Sequence, residues 1–258
     1  MLKQMFRFFT SYFLILISFS TSTQAQQTGR KWDADRNKGN ALLFSIGAGV
    51  HLPAGDLAKR FKGPSGSVGI SLDFLNVRNI LVGAEGAFFF GDKVKEDPLT
   101  ILRLSNGEII GNDLSYANFN LQERGFYYGV RTGKLFARKG KRSGWKATLG
   151  AGYMIHRIRL QDNGRTLTQV TGEYAKGYDR LTGGFALQQY FGWQHLGLNR
   201  RTNWAIGMEC TQAFTNTLRS WDYSSGGPLD KRRLDVRVGL RAVWTLPFYL
   251  KKAEEIFY

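Results

Sequence analysis

The most constraining feature of this sequence is an alternation that recurs eight times. In each segment apolar side chains occupy every second position, and small or polar side chains occupy the positions between them. The segments are residues 41–51, 68–74, 80–90, 125–136, 145–156, 182–193, 204–211 and 234–246. A period of two is typical of a β-strand with two different faces. Most segments are about 10 residues long, which is the length that a tilted strand needs to cross a bilayer.

The residues on the polar face separate two β architectures. A soluble β-sandwich also alternates, but its polar face meets water and is typically rich in charged residues. Here the polar face is mostly Gly and Ser with occasional charges, and the chain has 31 Gly but only 5 Pro. A narrow barrel lumen needs such small residues beside its few large ones. The sequence therefore predicts an all-β fold: an eight-stranded antiparallel up-and-down transmembrane β-barrel.

The connections between the segments alternate in length. The short ones are NVRN, ARKGKRSG and HLGLNRRTN, and the longest of the others spans residues 91–118. Short turns on the periplasmic side and long loops outside are typical of an outer-membrane barrel. An up-and-down path brings six aromatic residues to the periplasmic rim: Phe74, Phe136, Trp145, Trp193, Trp204 and Trp244. It brings Phe88, Phe90, Tyr153 and Phe214 to the opposite rim, as two interfacial girdles require.

The N-terminus predicts export. Lys3 and Arg7 precede an apolar run from Phe8 to Phe19, and Thr23 with Ala25 fits the small-x-small pattern of a signal peptidase site. The run is too short to span a ~30 Å hydrocarbon core as a helix, although an uncleaved anchor is the alternative. We therefore expect a signal peptide (1–25), a periplasmic leader (26–40), an outer-membrane barrel (41–249) and a short periplasmic tail (250–258), in a Gram-negative outer membrane.

The formal charge of +16 is large. Nucleic acid is the usual partner of so basic a chain, but export argues against it. Anionic lipid headgroups, lipopolysaccharide or other envelope proteins of a larger complex are the expected partners. The basic residues concentrate on the predicted periplasmic rim, which is either merely solvated or a docking surface for a partner. This predicted basic rim comprises Arg138, Lys139, Lys141, Arg142, Lys146, Arg200 and Arg201.

A second set of charges falls on the inward face of the strands. We expect it to form a structural ion-pair network that fills the lumen, because eight strands leave an interior just wide enough for side chains. The alternative is a polar channel, and thus a narrow pore. The predicted network comprises Asp73, Glu85, Glu123, Arg131, Glu209, Asp235, Arg237 and Arg241.

Residues that could carry catalysis are few. His51 and His156 fall near the external ends of the first and fifth strands, where a lipid-modifying hydrolase could hold its base. The sequence has no G-x-S-x-G motif, and a single cysteine with three scattered histidines gives no metal-ligand spacing. We therefore predict no catalytic residue, no metal and no cofactor.

Three segments, GAGYMIHRIRLQD, TGEYAKGYDRLTGG and RRLDVRVGLRAVWTLPFYLKK, together with the leader, resemble small outer-membrane barrels of the OmpA-barrel and OmpX type, in particular uncharacterised barrels from Bacteroidota. Since only residues 250–258 follow the last predicted strand, we do not expect peptidoglycan anchoring of the kind that full-length OmpA has. The resemblance implies a non-enzymatic barrel, structural or accessory, that binds a partner through its periplasmic rim or its outer loops. A lipid A acyl hydrolase-type enzyme and a narrow pore are the alternatives.

Overall fold

The computed structural model describes residues 39–137, 142–162, 164, 166–197, 202–229 and 232–250. The predicted signal peptide, nearly all of the leader and most of the tail lie outside these residues. Eight antiparallel strands form a closed barrel in sequence order, and the last strand pairs with the first. The strands are β1 (Asn40–Gly55), β2 (Ser65–Leu75), β3 (Ile80–Gly91), β4 (Phe119–Ala137), β5 (Gly144–Asp162), β6 (Thr182–Leu196), β7 (Asn203–Thr217) and β8 (Arg233–Leu250).

The connections give the barrel two different ends. Four loops, L1 (56–64), L2 (92–118), L3 (163–181) and L4 (218–232), meet at one end, which we call the loop end. Three short turns at 76–79, 138–143 and 197–202 meet at the other, the turn end. L1 contains a short helix, α1 (Leu57–Arg60), while L2 and L3 contain short 3-10 helices at Thr100–Leu102, Thr168–Val170 and Tyr174–Gly177. No helix among the described residues is long and apolar enough to cross a membrane.

The alternation of the sequence becomes the two surfaces of the barrel. Large apolar side chains such as Ile46, Val130 and Leu240 point outward and are 48%, 65% and 60% exposed, whereas their neighbours in the chain point into the lumen. An apolar exterior around a polar interior is the arrangement of a transmembrane barrel. The predicted fold class, strand count and topology are confirmed.

Aromatic side chains ring the exterior at two levels. At the turn end Trp145 stacks on Phe191 with ring centroids 5.0 Å apart, and its edge meets Trp193 at 5.6 Å. At the loop end Phe88 packs against Phe126 at 4.8 Å. Phe126 and Phe136 lie ten positions apart on β4. At about 3.3 Å per residue and a tilt near 40°, this separation places the two girdles about 25 Å apart, which matches the apolar band of an outer-membrane barrel.

Apolar clusters fill the lumen at its two ends. The cluster at the turn end consists of Ala41, Leu43, Leu75, Leu81, Leu135 and Leu196. Near the loop end, Leu57 and Phe61 of L1 turn inward and pack on Ile158 of β5. Above them L2 and L3 share a further core of Leu99, Ile109, Ala117, Leu167, Val170 and Tyr178. A further apolar cluster, Ala87, Phe89, Tyr127, Met154, Ala186 and Ala213, lies in the middle of the lumen, so apolar and polar layers alternate along it.

Candidate functional site

The central part of the lumen is organised around Arg131. Its guanidinium makes a two-pronged contact with Asp73, from Nε to Oδ1 at 2.8 Å and from Nη2 to Oδ2 at 2.5 Å. Nη1 donates to Oε2 of Glu85 at 2.6 Å, and Nη2 also donates to the hydroxyl of Ser71 at 2.8 Å. The planar donor fork of arginine suits this simultaneous binding of two carboxylates.

Arg241 continues the chain of ion pairs across the barrel. Its Nη1 donates to Glu85 at 3.0 Å and to Glu209 at 2.7 Å, so that Glu85 bridges the two arginines. Glu209 is also within 3.0 Å of Nε2 of His51. All these groups are nearly inaccessible to solvent.

Lys146 completes the charge balance of this central cluster. The sequence placed it on the basic rim, but its side chain points into the lumen and is only 5% exposed. No carboxylate among the described residues lies within 4 Å of its ammonium. With Lys146 included, the central cluster has three carboxylates (Asp73, Glu85, Glu209) and three basic side chains (Arg131, Arg241, Lys146). The predicted position of Lys146 on the rim is therefore corrected, because β5 turns even-numbered residues inward.

A second ion pair lies nearer the loop end. Arg237 pairs with Glu123 through Nη1 and donates from Nη2 to the hydroxyl of Ser65 at 2.8 Å. Its guanidinium carbon lies 3.9 Å from the centroid of the Phe89 ring, so the cation is also held against an aromatic face. The structure thus places all eight residues of the predicted network inside the barrel, in separate groups rather than in one continuous cluster.

His51 and His156 also belong to the lumen. The sequence placed them near the external ends of their strands, where a substrate could reach them, whereas both are buried and paired with carboxylates. Nε2 of His156 lies 2.8 Å from Asp235, which also accepts from the hydroxyl of Thr215 at 2.5 Å. The strands extend four to six residues beyond these histidines, since β1 ends at Gly55 and β5 ends at Asp162.

Arg60 covers His156 from the side of the loops. Its Nη1 donates to the hydroxyl of Thr182 at 2.7 Å and to the carbonyl of Arg180 at 3.0 Å, and lies 3.5 Å from Nδ1 of His156. Its Nε pairs with Glu96 at 2.9 Å. Burial lowers the pKa of Arg60 to about 9, and the nearby charge of Arg233 acts in the same direction. The guanidinium therefore remains charged at neutral pH.

A chain of charges ties all four loops together over the mouth of the barrel. It runs from Arg60 of L1 to Glu96 of L2, from Glu96 to Arg180 of L3, and from Arg180 to Asp222 of L4, the last contact at 3.3 Å. Asp179 of L3 and Arg219 of L4 add a further pair at 2.6 Å, which raises the pKa of Arg219. We call the linked residues Arg60, Glu96, Arg180 and Asp222 the loop bridge.

L1 is also clasped to the last strand through Asp56. The backbone amide of Asp56 donates to the carbonyl of Leu234 at 2.9 Å, and the amide of Leu234 donates back to the Asp56 carboxylate at 2.9 Å. Lys59 contacts the same carboxylate at 2.7 Å. The Lys59 hydrogen bond, followed by that from Leu234, lowers the pKa of Asp56 below its usual range. We call this arrangement the Asp56 clasp.

Only part of the predicted basic rim can be placed. Arg138, Lys139, Lys141, Arg200 and Arg201 lie outside the described residues. Arg142 does lie at the turn end, but it is only 7% exposed. Its Nη2 donates to the carbonyls of Gly39 and Asn76 at 2.5 and 3.1 Å, and its guanidinium lies over the Tyr249 ring. Arg142 therefore closes the turn end instead of presenting its charge to a partner, which corrects its predicted role.

The described residues hold no group of three or more His, Cys, Asp or Glu side chains placed to bind a metal ion. Four members of the buried polar groups are not part of the predicted network: His51, His156, Lys146 and Arg60. The period-two pattern contained the signal for the first three, because each occupies an inward position of its strand. Arg60 is in a loop, and no periodicity marks it.

Comparison with known proteins adds the following. No family model and no curated protein matches the chain. Among solved structures, Neisserial surface protein A is 12% identical with a TM-score of 0.39, and the match covers 83% of this chain and 100% of that one. Ail, the attachment invasion locus protein of Yersinia pestis, solved with the heparin analogue sucrose octasulfate, has the same identity and TM-score over 82% of this chain and 99% of that one. The outer membrane protein AlkL is 14% identical with a TM-score of 0.35, over 85% of this chain and 94% of that one.

Proposed function

We propose that this chain is a non-conducting, non-enzymatic protein of a Gram-negative outer membrane, with its loop end facing outward. The observation that carries the proposal is the filled lumen. Charged side chains pair with one another in its middle, apolar clusters lie toward both ends, and the loop bridge crosses its mouth. A pore selective for ions of one sign would instead leave a row of charges of the opposite sign facing water.

The same observation argues against an outer-leaflet hydrolase. His156 and Asp235 resemble the base and carboxylate of a hydrolytic site, and Thr215 supplies a hydroxyl. A lipid substrate cannot reach them, since all three side chains are at most 1% exposed and lie beneath Arg60. Hydrolysis of an acyl chain needs the nucleophile and base within reach of the ester bond.

The role that remains is structural or accessory, with a partner bound at one end of the barrel. The loop end offers a rigid surface, because the loop bridge and the shared L2–L3 core hold the loops together. Exposed apolar side chains on it include Leu114, Tyr116 and Trp221, at 87%, 63% and 51% exposure. The remaining cations of the predicted basic rim lie outside the described residues, and their positive charge favours an acidic envelope protein or anionic lipid headgroups as the partner.

The test of the proposal is conductance. Purified protein inserted into planar bilayers should give no stable single-channel currents above the bilayer background. Insertion is verified on the same preparation by protection of the strands from added protease. Reproducible, large unitary currents from inserted protein would contradict a sealed lumen.

Localisation needs its own measurement. We propose that cleavage after Ala25 exposes Gln26 as the new N-terminus, and that the chain belongs with the small OmpA- and OmpX-like barrels of Bacteroidota. The support is the apolar run with its small-x-small site and the three resembling segments. N-terminal sequencing of protein recovered from outer-membrane fractions should begin at Gln26, and retention of Met1 would contradict export by a cleaved signal.

A further inference from the structure

The exterior of the barrel carries three arginines at a single place. Arg124 of β4 lies directly opposite Arg157 of β5, and Gln122 of β4 lies directly opposite Arg159 of β5. All four side chains share the outer face, since the alternation turns Glu123, His156 and Ile158 inward. Directly paired like charges destabilise a strand pair. We call Arg124, Arg157 and Arg159 the arginine triad.

Few contacts offset this repulsion. Arg124 donates to the carbonyl of Glu123 and to the side chain of Gln122, and the charge of Arg159 acts on it unfavourably. Arg157 approaches Asp179 only to 3.8 Å, while Asp179 is bound more closely by Arg219 at 2.6 Å. The side chain of Arg159 is exposed and has no hydrogen-bond or ion-pair partner among the described residues. The triad is therefore only partly neutralised by its neighbours.

The position of the triad along the barrel axis indicates which layer of the membrane surrounds it. Arg124 lies two positions beyond Phe126, and Arg157 two positions beyond Ile155, in the direction of the loop end. Two residues of a tilted strand rise about 5 Å, which brings the guanidinium groups just past the aromatic girdle. That level is where lipid headgroups lie, because the girdle marks the edge of the hydrocarbon.

A groove beside the triad is lined by both apolar and charged residues, as a lipid with an anionic headgroup would require. It has a volume of about 360 Å³ and is lined by Pro64, Gly66, Phe90, Gly91, Asp92, Gln122 and Arg124. Phe90 supplies an apolar part of this lining, and Arg124 of the triad is one of the lining residues. Asp92 is the one carboxylate that lines it, so the triad together with the groove retains a positive charge.

We propose that the arginine triad binds the phosphate of an anionic lipid headgroup in the leaflet at the loop end, with the neighbouring apolar surface against its acyl chains. This inference rests on the proposed placement in the outer membrane, where that lipid is lipopolysaccharide. Guanidinium groups bind phosphate oxygens in a fork geometry, and three of them match the multiple charge of a phosphomonoester. The anion relieves the repulsion within the triad, and the strand pair gains an external tie.

The test compares two triple variants in zwitterionic detergent, with diphosphorylated lipid A as the probe and phosphatidylcholine as the neutral reference. The first is Arg124→Gln, Arg157→Gln and Arg159→Gln. The second, the matched control, is Lys62→Gln, Lys93→Gln and Lys95→Gln, which removes the same charge from exposed positions of L1 and L2. Titration followed by native mass spectrometry gives the apparent affinity of each protein.

We expect the triad variant to bind lipid A at least tenfold more weakly than the unmodified protein, because each cation near an anionic surface contributes about fivefold. The control should change by less than about twofold, and phosphatidylcholine should bind equally to all three proteins. Equal lipid A binding by the triad variant, or an equal loss in the control, would overturn the proposal. Displacement of lipid A by the same concentration of inorganic phosphate would show a site for a soluble anion instead.

Folding is checked separately by circular dichroism during heating. If the triple variant unfolds, Arg159→Gln alone replaces it, since Arg159 has no described partner to lose, and a loss of at least about threefold is then expected. Failure here is distinguishable from failure of the proposed function. A barrel that does not bind lipid A can still be non-conducting, so the triad proposal can fail alone. A conducting barrel can still bind lipid A at the triad, so the proposed function can also fail alone.

Discussion

At the scale of single residues, the guanidinium groups of the lumen differ in how many partners they satisfy. Arg131 binds Asp73 through two atoms and Glu85 through a third, whereas Arg241 holds Glu85 and Glu209 through one nitrogen. Removing one member of a buried ion pair is costly because the remaining charge stays buried without compensation. The position with the most partners should therefore be the most sensitive.

This reasoning gives a prediction for Arg131. Replacement by methionine, which keeps much of the volume, leaves Asp73 and Glu85 uncompensated and should lower the free energy of unfolding by about 3–5 kcal/mol. Ser45→Ala is the control, because it removes only the hydrogen bond between Ser45 and Thr245 and should cost about 1 kcal/mol. Urea titration of protein folded in lipid vesicles measures both. Equal stabilities of the two variants would contradict the role assigned to Arg131.

Lys146 and Arg241 show which parts of the lumen can be predicted from the sequence. Both occupy inward positions that the period-two pattern identifies, and Arg241 was assigned to the lumen on that basis. The basic residues just before Lys146 in the chain, Arg138 to Arg142, instead suggest that it belongs to a turn. The alternation of β5 decides otherwise. Trp145 faces outward, and the next residue, Lys146, therefore faces the lumen. Charge density along a sequence does not reveal which face of a strand each charge occupies.

At the scale of elements, the strand register assigns each side chain to lipid or to lumen. Leu149 and Val238 are 54% and 39% exposed on the outer face. Gly150 and Gly239 follow them on the inner face, where a Cβ on Gly239 would lie 2.1 Å from the carbonyl oxygen of Val50. On Gly150 the nearest atom would be the Tyr127 hydroxyl at 3.2 Å. The two faces should therefore respond to substitution for different reasons.

For the outer face, Leu149→Arg and Val238→Arg should each cost about 2–4 kcal/mol if these positions face the middle of the bilayer. For the inner face, Gly239→Ala should destabilise more than Gly150→Ala, because its contact is with backbone that cannot move aside. Folding titrations in vesicles measure all four variants. Neutral effects of both arginine substitutions would mean that these positions are not in lipid.

L1 shows what the pattern of the strands does not predict. The strands follow from alternation, but the inward turn of L1 depends on contacts with two other loops, L2 and L3. Leu57 and Phe61 are buried by Ile158 and their neighbours, and Arg60 by the loop bridge. These partners are distant in sequence, so no local periodicity records them. The position of L1 is therefore set by tertiary contacts and not by its local sequence.

Arg60 is the residue by which to test that position. Arg60→Leu keeps the bulk of the side chain but breaks the contacts to Glu96 and Thr182, so L1 should open more often. We expect backbone amides of residues 57–61 to exchange hydrogen at least tenfold faster, while amides of β4 and β5 remain unchanged. Lys62→Leu, at an exposed position of the same loop, serves as the control and should exchange as the unmodified protein does.

At the scale of the whole molecule, the polar interior is neutral in each of its parts. The central cluster has three carboxylates and three cations, Glu123 is matched by Arg237, and the region of the loop bridge sets Asp235, Glu96 and Asp222 against Arg60, Arg180 and Arg233. The net charge of +16 therefore lies elsewhere, on the surfaces and in the terminal segments. The paired charges of the interior therefore serve stability.

The Asp56 clasp gives the whole barrel a dependence on pH. Because the pKa of Asp56 is lower in the folded state than its ordinary value of 3.8, its contribution is present above that value and is lost as the pH falls through the folded-state pKa. Asp56→Asn should therefore lower the unfolding temperature at neutral pH and show a smaller further loss below pH 3.8 than the unmodified protein. Thermal scans across this range measure both quantities. Parallel curves for the two proteins would contradict the prediction.

The Asp56 clasp also implies an order of events in time. Asp56 and Leu234 are 178 residues apart in the chain, whereas the strands of each hairpin are close neighbours. Closing so long a segment costs more entropy than closing a hairpin, so neighbouring strands have reason to pair before the two ends of the sheet meet. The clasp forms only when β1 reaches β8. The rest of L1, which follows Asp56 directly, is then brought over the mouth. Joining the ends of the sheet and sealing the barrel are on this view a single late step of assembly.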